Sequence, residues 1–152
     1  MIILEDTRNK PEKNAHIRSQ LERLGYKVER SKLYCGDYSW ATVQKCCIDT
    51  KQDLQEVCGN VTSQHERFRA ECERAKEADI RLIILVQEPS IKTIDDVPSW
   101  FNWRRLKNPK ALSGKQLFKI MLTMSQKYGC EWHFCKRENV GETIVSLLGG
   151  SE

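Results

Sequence analysis

The stretch 36-GDYSWATVQKCCIDTKQD-53 sets two short runs, "YSWATV" and "KCCIDTK", on either side of a turn at Gln44 and Lys45. Side chains alternate across a strand. Cys47, Asp49 and Lys51 therefore share one face, while Ile48 and Thr50 point the other way. A tight hairpin brings Asp37 beside Asp49. Two carboxylates that close repel each other unless a cation lies between them. Mg²⁺ takes oxygen ligands and is held by one or two carboxylates together with substrate phosphate. Here the candidate ligands are Asp37, Asp49 and the backbone carbonyl of Thr50. Lys51 alongside them can orient an attacking water or stabilise charge developing on phosphorus. That set suits metal-assisted phosphodiester hydrolysis. The same residues also suit a Gly-Asp turn followed by an exposed Asp-Lys ion pair, and Asp-x-Lys is common enough that spacing alone leaves both open.

Working outward from the hairpin, "MIILED" reads as a buried strand. "KNAHIRSQLERLGY" reads as a helix stopped by Gly25, with Pro11 near its start. "KVERSKLYCGDY" leads in as an extended segment. "DLQEVCGN" is a short helix capped by Asp53 and ended at Gly59-Asn60. "SQHERFRAECERAKEAD" is a longer helix with Phe68, Cys72 and Ala75 as its apolar stripe. "RLIILVQE" is the clearest buried strand. Residues 89–112 form the longest irregular stretch, before a helix capped by Ser113 and ended by Gly129. "EWHFCKR" is a strand and "VGETIVSLLG" a last helix. Strands with helices on both faces, and a hairpin beside crossover connections, predict an α/β layer structure with a mixed central sheet.

The bounds agree. At 152 residues, with 39% hydrophobic and 30% charged, the chain reads as one globular domain spanning 1–152. It offers no apolar run long enough for a membrane span and no secretory leader. Seven cysteines, an odd number, and no C-x-x-C read as reduced thiols in a cytoplasmic protein. In "CEWHFC", Cys130, His133 and Cys135 lack the spacing of a zinc site. Charge is uneven: residues 1–91 balance fifteen bases against fifteen acids, whereas 92–137 carry ten bases and three acids. A basic half suits a polyanionic partner, or is a solvated surface.

The chain resembles the nuclease domain of the XPF/Hef family, a branch of the PD-(D/E)XK nucleases. The resemblance rests on motifs in order: "LEDTRNK" with Asp6 and Arg8; "LYCGDY" with Leu33, Gly36, Asp37 and Tyr38; "IDTKQDL" with Asp49 and Lys51; then "QHERFRAECERAKEADIRLIILVQE". It runs from residue 2 to about 88, and more loosely beyond. It implies a restriction-endonuclease-like fold, Mg²⁺ or Mn²⁺ as cofactor, DNA as partner, and a catalytic set of Asp37, Asp49 and Lys51. Branched or flapped DNA and a homodimer are further implications. Asp49 replaces the family's usual Glu, Thr50 its Arg, and Asn9 a frequent Glu. Asp53 follows Asp49 by four residues rather than six. With no room for a helix-hairpin-helix module or a helicase, the chain resembles compact, stand-alone members from bacteria and phages.

Other residues carry secondary expectations. Glu5, Asp6 and Arg8 are an outer site, or plain strand-end charges. Arg67 and Arg69 cannot share one helix face, so at most one reaches the scissile phosphate. "WFNWRR" can stack on unpaired bases, or fold back as a small core of its own. Arg104, Arg105, Lys107, Lys110 and Lys115 are candidate DNA contacts. "SGKQ" is not a phosphate loop. Three functions follow: a metal-dependent DNA endonuclease, a silent nuclease fold that binds nucleic acid or a protein, or a module with an accidental motif.

Overall fold

The computed structural model describes residues 1–149. Six strands form one mixed sheet: β1 (Ile2–Glu5), β2 (Lys27–Arg30), β3 (Tyr38–Trp40), β4 (Cys46–Lys51), β5 (Arg81–Val86) and β6 (Glu131–Phe134), in the spatial order β2-β1-β3-β4-β5-β6. β1 runs parallel to β2, and β4, β5 and β6 are parallel to one another. β3 is antiparallel to both of its neighbours. The helices are α1 (Ala15–Arg23), α2 (Leu54–Val61), α3 (His65–Glu77), α4 (Gly114–Tyr128) and α5 (Val140–Leu148). The α/β architecture and mixed sheet are those expected from the sequence.

The sheet is covered on both faces, and β5 shows why. Leu82, Ile84 and Val86 pack with residues of α2, α3 and α4. Ile83 and Leu85 pack with residues of α1 and α5. A strand buried on both sides must be apolar throughout rather than alternating, and "LIILV" meets that demand. Cys130 joins the first core and Cys135 packs against the second, so these two thiols lie on opposite faces of the sheet.

Local chemistry sets the ends of the elements. Asp53 caps α2 by accepting from Glu56 N, and Ser113 caps α4 in a reciprocal pair with Gln116. Gly59 and Asn60 lie inside α2 rather than ending it, and the helix runs on to Val61. The hairpin also differs from expectation. β3 stops at Trp40, and residues 41–45 form the connection. Ser39 Oγ donates to the Cys46 carbonyl at 2.8 Å, a side-chain bond where longer strand pairing is expected. The irregular 89–112 stretch contains two 3-10 turns, Ile94–Ser99 and Trp103–Leu106. None of the described helices is long and apolar enough to cross a membrane.

Gly36 fixes the approach to β3. Its φ of +74° is left-handed, and an added Cβ would come within 3.0 Å of Cys47 Cβ and 3.1 Å of the Ile48 carbonyl. Both the torsion and the crowding require glycine. Gly36→Ala should destabilise the protein by about 1–3 kcal/mol, the cost of a strained backbone site. Chemical denaturation checks this, and an unchanged midpoint would mean the turn relaxes without strain.

Candidate active site

Asp37 enters from the turn before β3, and Asp49 and Lys51 from the end of β4. The antiparallel register that pairs Tyr38 with Ile48 sets the two acids side by side, and Asp37 N donates to the Ile48 carbonyl at 2.7 Å. All three side chains are buried. They line a cleft of about 420 Å³ whose walls also carry Asp6, Arg8, Arg67, Glu71 and Arg74.

Asp37 is held on both oxygens. Oδ2 accepts from Thr50 N and Thr50 Oγ1, each at 2.8 Å, and Oδ1 accepts from Asn9 Nδ2 at 2.6 Å. Asn9 thus supplies Asp37 with a neutral donor, where an acid would add another negative charge. Asp49 Oδ2 faces Lys51 Nζ at 3.0 Å but is buried without an aligned hydrogen bond. Lys51 Nζ also lies over the Phe68 ring, 5.1 Å from its centroid, a favourable cation–π placement. Gln87 steadies the strand end, its Nε2 donating to the Lys51 carbonyl at 3.1 Å.

Glu71 is the cleft residue that sequence reasoning misses. It lies on α3 above the hairpin and accepts from Gly36 N at 2.8 Å. Arg67, Glu71 and Arg74 stand four and three residues apart, on one helix face, and all three line the cleft. That spacing is the available signal. It is masked because the neighbouring stripe of Phe68, Cys72 and Ala75 marks the buried side, and a charged stripe beside it reads as solvated.

Burial, then repulsion from Asp49, pushes the Asp37 carboxyl up to about 7. The same two causes push Glu71 up to about 8. Burial opposes the charge on Lys51, but Asp49, Glu56 and Asp37 together outweigh it and hold the ammonium above its ordinary value. A divalent cation fits this donor set: two adjacent buried carboxylates, Asp37 and Asp49, with one Asp49 oxygen that receives no aligned hydrogen bond. Among the described residues no three acidic, His or Cys side chains are gathered as a complete metal cage. Mg²⁺ sites are typically of that incomplete kind, finished by water and phosphate.

The remaining candidates separate. Glu5 is turned away from the cleft. It binds Arg30 at 2.6 Å, Arg18 at 3.0 Å and the Tyr38 hydroxyl at 2.6 Å. It is therefore a buried hub for α1, β2 and β3, not an outer ligand. Asp6 and Arg8 stay at the cleft but bind each other at 2.7 Å, and Asp6 Oδ1 also accepts from Leu33 N. Arg69 pairs with Glu73 at 3.3 Å away from the cleft; Arg67 reaches it. Arg105 is pinned to the Ala111 carbonyl. Arg104, Lys107, Lys110 and Lys115 are exposed. "WFNWRR" does not collapse into a core of its own: Phe101 and Trp103 are exposed.

Comparisons with known proteins bear on the family and the fold. The ERCC4 domain model matches residues 6–147. Two solved structures share the fold. XPF from Aeropyrum pernix has a TM-score of 0.67 at 18% identity, covering 97% of this chain and 60% of that one. A structure described as XPF from Aeropyrum pernix in complex with DNA has a TM-score of 0.67 at 20% identity, covering 97% and 62%. The chain thus spans about three-fifths of the length of these relatives. A search of curated protein sequences finds no match.

The carboxylate shifts set a pH dependence for the metal-free protein. Asp37 and Glu71 hold protons more tightly folded than unfolded, where their ordinary values are 3.8 and 4.5. The stability linked to them is fully present below about pH 4 and is lost as pH rises through their folded values. In EDTA the melting temperature should fall between pH 5 and pH 8, and Glu71→Gln should flatten the decline. A melting temperature that climbs over this range would contradict the crowding of the carboxylates.

Proposed function

The chain belongs to the ERCC4 domain family, and from that premise we propose that it is a divalent-metal-dependent DNA endonuclease. The observation that carries the reading is the burial of Asp37, Asp49 and Lys51 together in one open cleft beneath Arg67 and Arg74. Asp37 and Asp49, with the Thr50 carbonyl as a further ligand, would hold Mg²⁺ or Mn²⁺, which would supply positive charge that offsets the phosphate and makes water a better nucleophile.

The chain's own residues do the rest. Thr50 and Asn9 fix the Asp37 carboxylate, so that no side-chain reorganisation is needed at reaction. Lys51, aligned by Asp49 and backed by Phe68, presents its ammonium where water attacks phosphorus and charge builds on the phosphoryl oxygens. Arg67 and Arg74 sit on the helix wall, placed to meet a backbone phosphate. In hydrolysis the new P–O bond to water forms as the bond to the leaving oxygen breaks; the attacking water gives a proton to solvent, and the leaving oxygen takes one from solvent to become an alcohol. Asp49 is one methylene shorter than the family's Glu, and its buried pairing with Lys51 keeps it within the group. The seven free thiols fit a reducing cytoplasm. Branched or flapped DNA and a homodimer are the finer form of the proposal; cutting both strands would require two such sites.

The test is incubation with flap, fork, four-way and linear DNA in Mg²⁺ or Mn²⁺, against an EDTA control. Metal-dependent cleavage supports the proposal. Binding without cleavage in either metal would leave a silent nuclease fold. Asp37→Asn and Asp49→Asn should each abolish cleavage while the fold survives. Lys51→Ala and Lys51→Arg should both lose about 10²-fold or more in single-turnover rate, as other deleted electrostatic groups do. The arginine variant fails because a planar, always-charged guanidinium cannot take the place of a compact ammonium. Normal turnover in Lys51→Ala would remove this residue from the mechanism.

The exposed cations give a separate prediction. Neutralising Arg104, Lys107 and Lys110 together should weaken DNA binding. It should also flatten the salt dependence, by roughly 0.9 log unit of slope for each phosphate that no longer meets a cation. An unchanged slope would shift the DNA-binding surface to Arg67 and Arg74.

A further inference from the structure

A second cavity, of about 550 Å³, lies on the other side of α2 from the acidic cleft. α2 is the wall between them: Glu56 and Asn60 line the first, while Gln55, Cys58 and Gly59 line the second. One helix is about 10 Å thick, so one bound strand can reach both. The far wall is the stretch from Asn102 to Leu112. The lining includes Arg104, Lys107 and Lys110 and, among the described residues, no Asp or Glu.

The loop offers apolar surface to solvent in a fixed geometry. Trp103 is 57% exposed, and Phe101 and Leu106 beside it are 63% and 77% exposed. Leaving such rings in water forgoes the gain of burying them, and clusters of this kind on a soluble protein mark binding sites. The loop is anchored from beneath. Buried Asn102 donates to the Leu112 carbonyl at 2.7 Å and accepts from Gln55 Nε2 at 2.6 Å and from Arg104 N at 3.0 Å. Arg105 is bonded to the Ala111 carbonyl. Arg104 lies 5.6 Å from the centre of the Trp103 ring.

We propose that this second cavity receives an unpaired nucleotide of the DNA substrate, Trp103 stacking on its base while Arg104, Lys107 and Lys110 meet its phosphates. The proposal rests on the nuclease reading and adds the substrate feature that the enzyme recognises next to the cut. An exposed tryptophan among cations, with no acid in the lining, matches a single strand, whose every base has a stacking face and whose backbone is anionic. It matches a second copy of this chain less well, since two such surfaces would bring like charges together. Gly59 keeps the α2 side of the cavity open: an added Cβ there would meet nothing within 4 Å.

The experiment measures the affinity of a short fluorescein-labelled single strand and of a blunt duplex of the same length, in EDTA so that neither is cut. The proteins are the wild type, Trp103→Ala, Trp103→Phe and Gly59→Leu. Trp103 is exposed, so its truncation leaves the core intact. Gly59→Leu fills the cavity and favours the helix. Both Trp103→Ala and Gly59→Leu should weaken single-strand binding by about 10-fold, the scale of one lost base stack, and duplex binding by less than twofold. Trp103→Phe should retain most of the affinity. Equal losses on both probes, or no loss, would overturn the proposal. So would a wild-type dimer that Trp103→Ala dissociates with single-strand affinity unchanged, which would give the surface to a second copy. A wild type that cuts duplex while these variants bind normally sinks this inference alone; Trp103-dependent binding in a protein that cuts nothing sinks the nuclease reading alone.

Discussion

The confinement of three carboxylates at one end of the sheet is the constraint on which the site depends. Asp37, Asp49 and Glu71 line one cleft with Lys51 buried among them. Burial and mutual repulsion raise the proton affinity of Asp37 and Glu71 into the neutral range. Such an arrangement is poor for stability, since buried like charges repel and desolvation penalises each of them. The fold retains it with fixed donors: Thr50 and Asn9 on Asp37, Gly36 N on Glu71. These bonds orient Asp37 and Glu71, so that the proposed cation would meet an Asp37 carboxylate already fixed beside Asp49.

The opposite face of the same sheet solves a different problem with similar residues. Glu5 is buried as deeply as Asp37, yet it is matched by two arginines and a tyrosine hydroxyl. Its charge is satisfied, so it tethers α1 and β2 to β3 and offers nothing to a ligand. One sheet thus carries a satisfied anion on one face and an undersatisfied cluster on the other. That contrast separates a scaffold acid from a candidate metal ligand here more sharply than position in a motif does.

Much of this is legible in the sequence. The apolar run of β5, the Asp53 and Ser113 caps and the face shared by Cys47, Asp49 and Lys51 follow from period and local chemistry. The misses have physical reasons. Gly59-Asn60 looks like a helix stop, but a glycine ends a helix by turning left-handed, and α2 carries Gly59 inside it. The strand β3 reads too long because pairing depends on what lies opposite, not on propensity alone. Glu5 reads as part of an outer site because partners from α1 and β2 are invisible in a linear reading. Glu71 escapes notice because its role depends on α3 lying across the Gly36 turn, a contact thirty-five residues away in sequence.

The divalent cation proposed for this cleft would meet carboxylates that are still partly protonated near neutral pH. Calorimetric titration of Mg²⁺ into the metal-free protein at pH 7, in two buffers of different ionisation heat, tests it directly, because binding a metal to protonated ligands releases protons. The expected result is saturable binding with proton release at pH 7 that shrinks toward pH 9, where both groups are already ionised. Identical heats in the two buffers at pH 7, or no saturable binding, would contradict it.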